Sequence, residues 1–154
     1  MNPALGRLVR LLWASPNSVI GMIFVPSALG RHGGLALVDG VLEVHSPFIA
    51  WVLRHCTVLP GGVAAITFGH VVLGVNRDAL RWTRDHERVH VRQYERWGPL
   101  FIPAYLMASA WAVVTGAEAY QGNWFEHEAF RSSSIPSLTS AGRRDATGRS
   151  EGRA

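Results

Sequence analysis

His86-Glu87-Arg88-Val89-His90 places two imidazoles four residues apart, with a carboxylate beside the first. On a helix, residues four apart sit one turn above each other, so both rings can point at one Zn²⁺. Glu87 then flanks them as the general base for a water activated by the metal. A catalytic zinc site keeps three protein ligands and an open position, so a third ligand is required. The other dense group of metal-capable side chains is Glu126-His127-Glu128, and Glu126 has two readings. It is either the third ligand or, three residues after Asn123, the closing residue of a capping box at a helix start. The histidines have a plain reading as well: two packed side chains on an amphipathic helix, each bonded to a carbonyl, with Glu87 part of the charge pattern around Arg84, Arg88 and Arg92. Against this, His86, His90 and Gln93 lie together between Trp82 and Trp97, and each buried imidazole or amide without a partner costs about 1–3 kcal/mol. A shared metal satisfies two of the three.

These residues need a rigid carrier. A helix of about twenty residues is expected to begin at Asn76 and run to Trp97, stopped by Gly98-Pro99. At 100° per residue, Ala79, Trp82, His86, Val89, His90, Gln93 and Trp97 share one face. Arg77, Arg81, Arg84, Arg88, Arg92 and Arg96 form a stripe about opposite, read as a solvated face with anionic lipid headgroups as its sharper use. Upstream, Leu35 to Val44 alternates around Asp39-Gly40, a hairpin signal. Pro47 to Cys56 reads equally as a short helix or a buried strand. Leu59 to Gly62 is a turn, and Val63 to Val75 is β-rich with a bulge or tight bend at Gly69. Together these predict a small antiparallel sheet of three or four strands. His70, beside Gly69, is a structural histidine or a group that touches substrate. Downstream, Gly98 to Val114 carries no charge, and Asn123 caps a last short helix. The expected class is α+β: an N-terminal apolar helix, the sheet, the HExxH helix, an apolar helix and a short helix carrying the third ligand.

The chain has 154 residues, 48% apolar and 17% charged, with six Trp and a mean hydropathy of +0.11. That is one domain's worth of protein, with fewer charges than a soluble domain usually carries. Residues 1–30 read as a membrane-associated segment, 31–131 as a compact α+β domain and 132–154 as a disordered tail. The N-terminal segment is broken by Pro16 and Pro26, so it spans with a kink, lies at the interface, is a signal peptide or is a core helix. All fifteen basic residues are Arg, the net charge is +4 and the pI is near 10.2. No zinc-finger, RRM or KH pattern accompanies the arginines, so no nucleic acid is expected. Cys56 stands alone, which excludes an internal disulfide framework. If His90 and Glu126 share a metal they lie on one side of the membrane, so residues 98–114 are expected to be a buried or interfacial helix rather than a single span.

The segments HERVHVRQYERWGP and NWFEHEAF resemble a family of small bacterial membrane-associated proteins with an HExxH helix, a glycine-proline stop and a later N-x-F-E-x-E-A segment. More distantly, HExxH with a downstream E-x-x-A helix is similar to the gluzincin metallopeptidases of the membrane-embedded CAAX-processing and heat-shock type. The resemblance implies Zn²⁺ on His86, His90 and Glu126, with Glu87 as general base and a peptide or protein as substrate. It also implies a place at the bacterial cell membrane, with lipid as a partner. The chain departs from the peptidase pattern at Arg88, where an uncharged residue is usual, and at Phe130, where the E-x-x-A-D pattern has Asp. The alternative is a non-enzymatic, membrane-anchored structural or interaction protein with a vestigial or structural metal site.

Overall fold

A computed structural model describes residues 3–57 and 62–133. The expected tail beyond residue 133 and most of the Leu59–Gly62 turn lie outside the described residues. Among the described residues nine helices and strands follow in order: α1 (Pro3–Met22), β1 (Gly34–Val38), β2 (Val41–His45), α2 (Pro47–His55), β3 (Ala65–Phe68), β4 (Val71–Gly74), α3 (Arg77–Trp97), α4 (Phe101–Val114) and α5 (Trp124–Ser132), with α1 and β1 joined through a 3₁₀ turn at Val25–Leu29. The α+β class is therefore as expected. Pro47–His55 is a helix: Ser46 Oγ accepts the Ile49 amide at its start, and Pro47 sits where a missing N–H costs nothing.

The sheet differs from the expectation in one respect. Its strand order is β1-β2-β4-β3, and the β2–β4 pair is parallel, so the sheet is mixed rather than antiparallel. The burial pattern gives the reason. Val71–Gly74 is buried at every position, whereas β3 is only partly covered. A strand that is apolar on both faces belongs inside the sheet, so β4 takes the place beside β2 and β3 becomes an edge. The hairpin turns are short. Asp39 and Gly40 both have positive φ, at 50° and 81°, and Gly69 turns at φ 60° so that Phe68 pairs with Val71.

The two faces of the sheet do different work. Val44, Leu73 and Val71 pack with Ile49 and Leu53 of α2 and with Ala28. The opposite face carries the cross-strand row Glu43, Val72 and Thr67, and α3 lies over it, with Leu80 and Val91 packed on Val41 and Val72. Polar contacts grip α3 at both ends of that row. On one side Glu43 receives Arg84 through two hydrogen bonds of 2.8 and 2.9 Å, while Arg88 donates to the Val38 carbonyl at 2.6 Å. On the other side Thr67 Oγ1 donates to Glu87 Oε2 at 2.6 Å. Two members of the arginine stripe, Arg84 and Arg88, are thus spent on the sheet rather than on solvent. Trp82, expected on the buried face, is exposed, because the helix is turned to bring Leu80, Thr83 and Glu87 inward instead.

Asn76 caps α3 by accepting the Ala79 amide, and Gly98 closes it at φ 56°. A β-carbon at position 98 would meet the Trp13 ring, and Asn17 Nδ2 donates to the Gly98 carbonyl at 2.7 Å, so α1 docks on the helix stop itself. Ala14 joins Tyr94, Phe101 and Phe125 in a second core that holds α1, α3, α4 and α5 together. Residues 77–114 form the one described helical run long and apolar enough to cross a membrane, by length and composition only. Its apolar portion is mostly exposed: Leu106, Met107, Trp111, Val113 and Val114 of α4 are uncovered, so α4 is not the buried helix that was one of its two expected roles. The N-terminal α1, expected to supply any span, does not have that apolar length, although Leu5, Leu8, Val9 and Leu12 are exposed along it.

Glu43→Ala removes the carboxylate that neutralises Arg84 and Arg88 at the sheet. The expected loss is roughly 3 kcal/mol, the range for breaking a largely buried ion pair, read as a shift of the urea midpoint. An unchanged midpoint would mean that the grip on α3 contributes nothing.

Candidate metal centre

His86 and His90 project from α3 toward α4 and α5, His90 against Phe101 and Tyr105 and His86 against Phe130. Their Nε2 atoms are 3.2 Å apart. From α5, Glu126 Oε2 approaches His86 Nε2 to 3.2 Å, and Oε1 approaches His90 Nε2 to 3.4 Å. All three side chains are buried, with relative exposures of 5%, 8% and 2%. For metal bonds of about 2.0–2.1 Å the edge of a coordination tetrahedron is about 3.3–3.4 Å, close to these separations. The group His86, His90 and Glu126 can hold a metal ion.

The hydrogen bonds around the cluster decide which lone pairs face it. Gln93 Nε2 donates to the Phe125 carbonyl at 3.0 Å and to Glu128 Oε2 at 2.9 Å, which fixes the amide with its oxygen toward His90. His90 Nδ1 therefore donates to Gln93 Oε1 at 2.9 Å, so that in the neutral ring it is Nε2, 3.2 Å from His86 Nε2, that presents its lone pair to the cluster. The Tyr105 hydroxyl donates to Glu126 Oε1 at 2.6 Å. Glu126 Oε2 stands near His86 Nε2 without the direction of a hydrogen bond, so this buried oxygen has no donor of its own. Two imidazole Nε2 atoms on one side and an orphaned carboxylate oxygen on the other are what a cation would satisfy. His86 Nδ1 also lacks a partner, and the Phe130 ring packs on the His86 imidazole with centroids 4.8 Å apart. Phe130 thus supports His86 by packing where the resembling pattern would place a carboxylate.

Glu126 does not close a capping box. Asn123 caps α5 by accepting the Phe125 amide, and the Asn123 N–H is taken by the Tyr120 carbonyl. Burial pushes the Glu126 carboxyl up, but the His86 and His90 imidazoles and the Tyr105 hydroxyl outweigh it and hold the group well below the usual carboxylate range. For His90, burial works against the charged form, yet the Glu126 carboxylate, with help from Glu87 and Gln93, raises the imidazole to about 9.

Glu87 is buried beside the cluster, its Oε2 held by Thr67 of the edge strand β3. His70 does not join the site; its Nε2 pairs with Glu95 at 3.1 Å, and its amide is taken by Ser18 Oγ. His127 bonds the Gln121 carbonyl and Glu128 supports Gln93, so of the Glu126-His127-Glu128 run only Glu126 reaches the cluster. Thr67 and Tyr105 carry no sequence signal of their own, since a threonine in a strand and a tyrosine in an apolar run are ordinary. Known protein families, curated proteins and solved structures contain no match to this chain.

Two outcomes follow from this geometry. Gln93→Leu leaves His90 Nδ1 without an acceptor and frees the ring to turn, which lowers metal affinity by about 10–100-fold, measured by competition with a chelating dye; equal affinity would remove Gln93 from the site. Metal competes with the proton that His90 holds up to about pH 9, so the apparent affinity rises about tenfold per pH unit between pH 7 and 9 and flattens above. A flat profile across that range would contradict the His90–Glu126 coupling.

Proposed function

We propose that this chain is a membrane-associated zinc metallopeptidase that hydrolyses a peptide bond in a peptide or protein substrate. The observation that carries the reading is the meeting of His86 Nε2, His90 Nε2 and Glu126 from two helices at 3.2–3.4 Å, with the second residue of the HExxH buried alongside. Two imidazoles and one carboxylate in a tetrahedral spacing suit Zn²⁺, and this is the donor set of the gluzincin peptidases that the sequence resembles.

When bound, zinc supplies Lewis-acid polarisation of the scissile carbonyl and of the attacking water. The protein's own groups do the rest. Thr67 holds Glu87 Oε2, so Oε1 is the oxygen that takes the proton from the water as it attacks the carbonyl carbon. The same carboxyl then returns that proton to the amine as the carbon–nitrogen bond breaks. Gln93 keeps His90 in the tautomer that presents Nε2, and Tyr105 occupies Glu126 Oε1 so that Oε2 is the free ligand oxygen. Exposed apolar residues on α1 and α4 support a position at the bacterial cell membrane, with α4 lying at the interface.

A second reading has its own observation. All three ligands are almost completely covered, and closed sites of this kind serve structural metals in proteins that catalyse nothing. The two readings part at Glu87. Glu87→Gln is expected to keep zinc and the unfolding midpoint while cleavage of a peptide library, followed by mass spectrometry on detergent-purified protein, falls by about 10²–10⁴-fold. Cleavage at the wild-type rate in this variant would overturn the mechanism. Zinc-loaded wild type that cleaves nothing in the library would favour the structural metal.

A further inference from the structure

A cleft of about 230 Å³ opens where α1, the β1–β2 turn and α3 meet, and its wall includes Arg7, Leu11, Asp39, Arg88, Arg92 and Glu95. The charged members differ in what they are already bound to. Glu95 is engaged by Arg10 at 3.3 Å and by His70 at 3.1 Å. Arg88 donates to the Val38 carbonyl and stands 3.8 Å from both Glu43 and Asp39. Asp39 itself points mostly to solvent, with its side chain 86% exposed. Among the described residues, Arg7 and Arg92 have no carboxylate within salt-bridge distance and no hydrogen-bond acceptor. Room for Arg7 comes from the turn: a β-carbon on Gly40 would lie 2.7 Å from Arg7 Nη2. The glycine that the positive φ requires is therefore also what lets a guanidinium settle over the hairpin.

Two arginines from different helices that line one open cleft, neither paired with a carboxylate, together suit an anion with several acceptor oxygens. The surroundings narrow the choice of anion. Leu11 lines the cleft, and its neighbours on α1, Leu8 and Leu12, are exposed, so apolar surface begins where the arginines end. A free phosphate would use only the polar half of this surface. A phospholipid uses both: its phosphate meets the arginines and its acyl chains lie along the leucines.

We infer that the cleft between Arg7 and Arg92 binds the phosphate of an anionic phospholipid headgroup, with the acyl chains along the exposed leucines of α1. The site shares no residue with the His86, His90 and Glu126 cluster, so it stands whether or not that cluster is catalytic. It also gives the membrane-facing α1 a fixed register against the body of the protein, because one headgroup contacts both α1 and α3.

The test uses the full chain in a neutral maltoside detergent, titrated with dihexanoyl phosphatidylglycerol, dihexanoyl phosphatidylcholine or inorganic phosphate, with thermal unfolding as readout. A ligand of the folded state raises the midpoint by mass action. Phosphatidylglycerol is expected to raise it by about 3–6 °C, and the other two to leave it unchanged. The rise is lost in Arg7→Gln/Arg92→Gln, and is kept both in Arg77→Gln/Arg81→Gln, which removes equal charge from exposed α3 positions, and in His86→Ala. Should the double variant unfold at a different midpoint before any lipid is added, Arg92→Gln alone, at an exposed helix position, repeats the comparison. A rise that survives Arg7→Gln/Arg92→Gln, or that vanishes equally in Arg77→Gln/Arg81→Gln, overturns the proposal in favour of diffuse charge. A rise produced by inorganic phosphate alone overturns the lipid as the source of the anion.

Discussion

Burying two imidazoles and a carboxylate within 3.4 Å of one another is the constraint around which the helices of this protein are arranged. Out of water such groups are tolerated only when every lone pair and proton finds a partner. The surrounding contacts answer that demand one atom at a time. Gln93 takes the His90 Nδ1 proton, Tyr105 satisfies one Glu126 oxygen, and Phe130 packs against the His86 ring. Of the cluster's own atoms, His86 Nδ1 and Glu126 Oε2 stay unanswered, and Oε2 stands 3.2 Å from His86 Nε2, where a single cation would meet the carboxylate and both imidazoles.

Such a cluster is only as good as the rotation of α3 about its axis. A turn of the helix by one residue, about 100°, would take both histidines out of reach of α5. The sheet prevents it through the row Glu43, Val72 and Thr67, which meets α3 with an ion pair at one end, apolar packing in the middle and a hydroxyl at the other. Thr67 links the two demands, since the same hydrogen bond that helps to seat the helix also orients Glu87. Gly98 then ends α3 where α1 crosses it, and the aromatic core of Tyr94, Phe101 and Phe125 sets the angle at which α4 and α5 return. The element carrying Glu126 is brought back to the histidines by that core rather than by any long-range sequence signal.

Local physics made some of this legible in the sequence. The four-residue spacing of His86 and His90, the helix start at Asn76, the Gly98 stop and the Asp39-Gly40 turn are each set within a few residues, and each appears as expected. Glu126 was ambiguous because a capping box and a metal ligand place the same residue type at the same offset; only the position of Tyr120, whose carbonyl takes the Asn123 amide, separates them. The parallel pairing of β2 with β4 depends on which strand is covered on both faces, and that is a property of the whole packing. Arg84 and Arg88 looked like part of a solvated stripe, yet their partner Glu43 lies about forty residues earlier and carries no pattern that announces it. Thr67 and Tyr105 were invisible for the same reason: their roles exist only once distant segments meet.

The most direct test of the account is the metal content of detergent-purified protein after exhaustive dialysis, by elemental analysis of wild type beside His86→Ala and Glu126→Ala. The account predicts about one zinc per chain in the wild type, lost in His86→Ala and weakened or lost in Glu126→Ala. No metal in the wild type, or the same metal content in all three proteins, would contradict it.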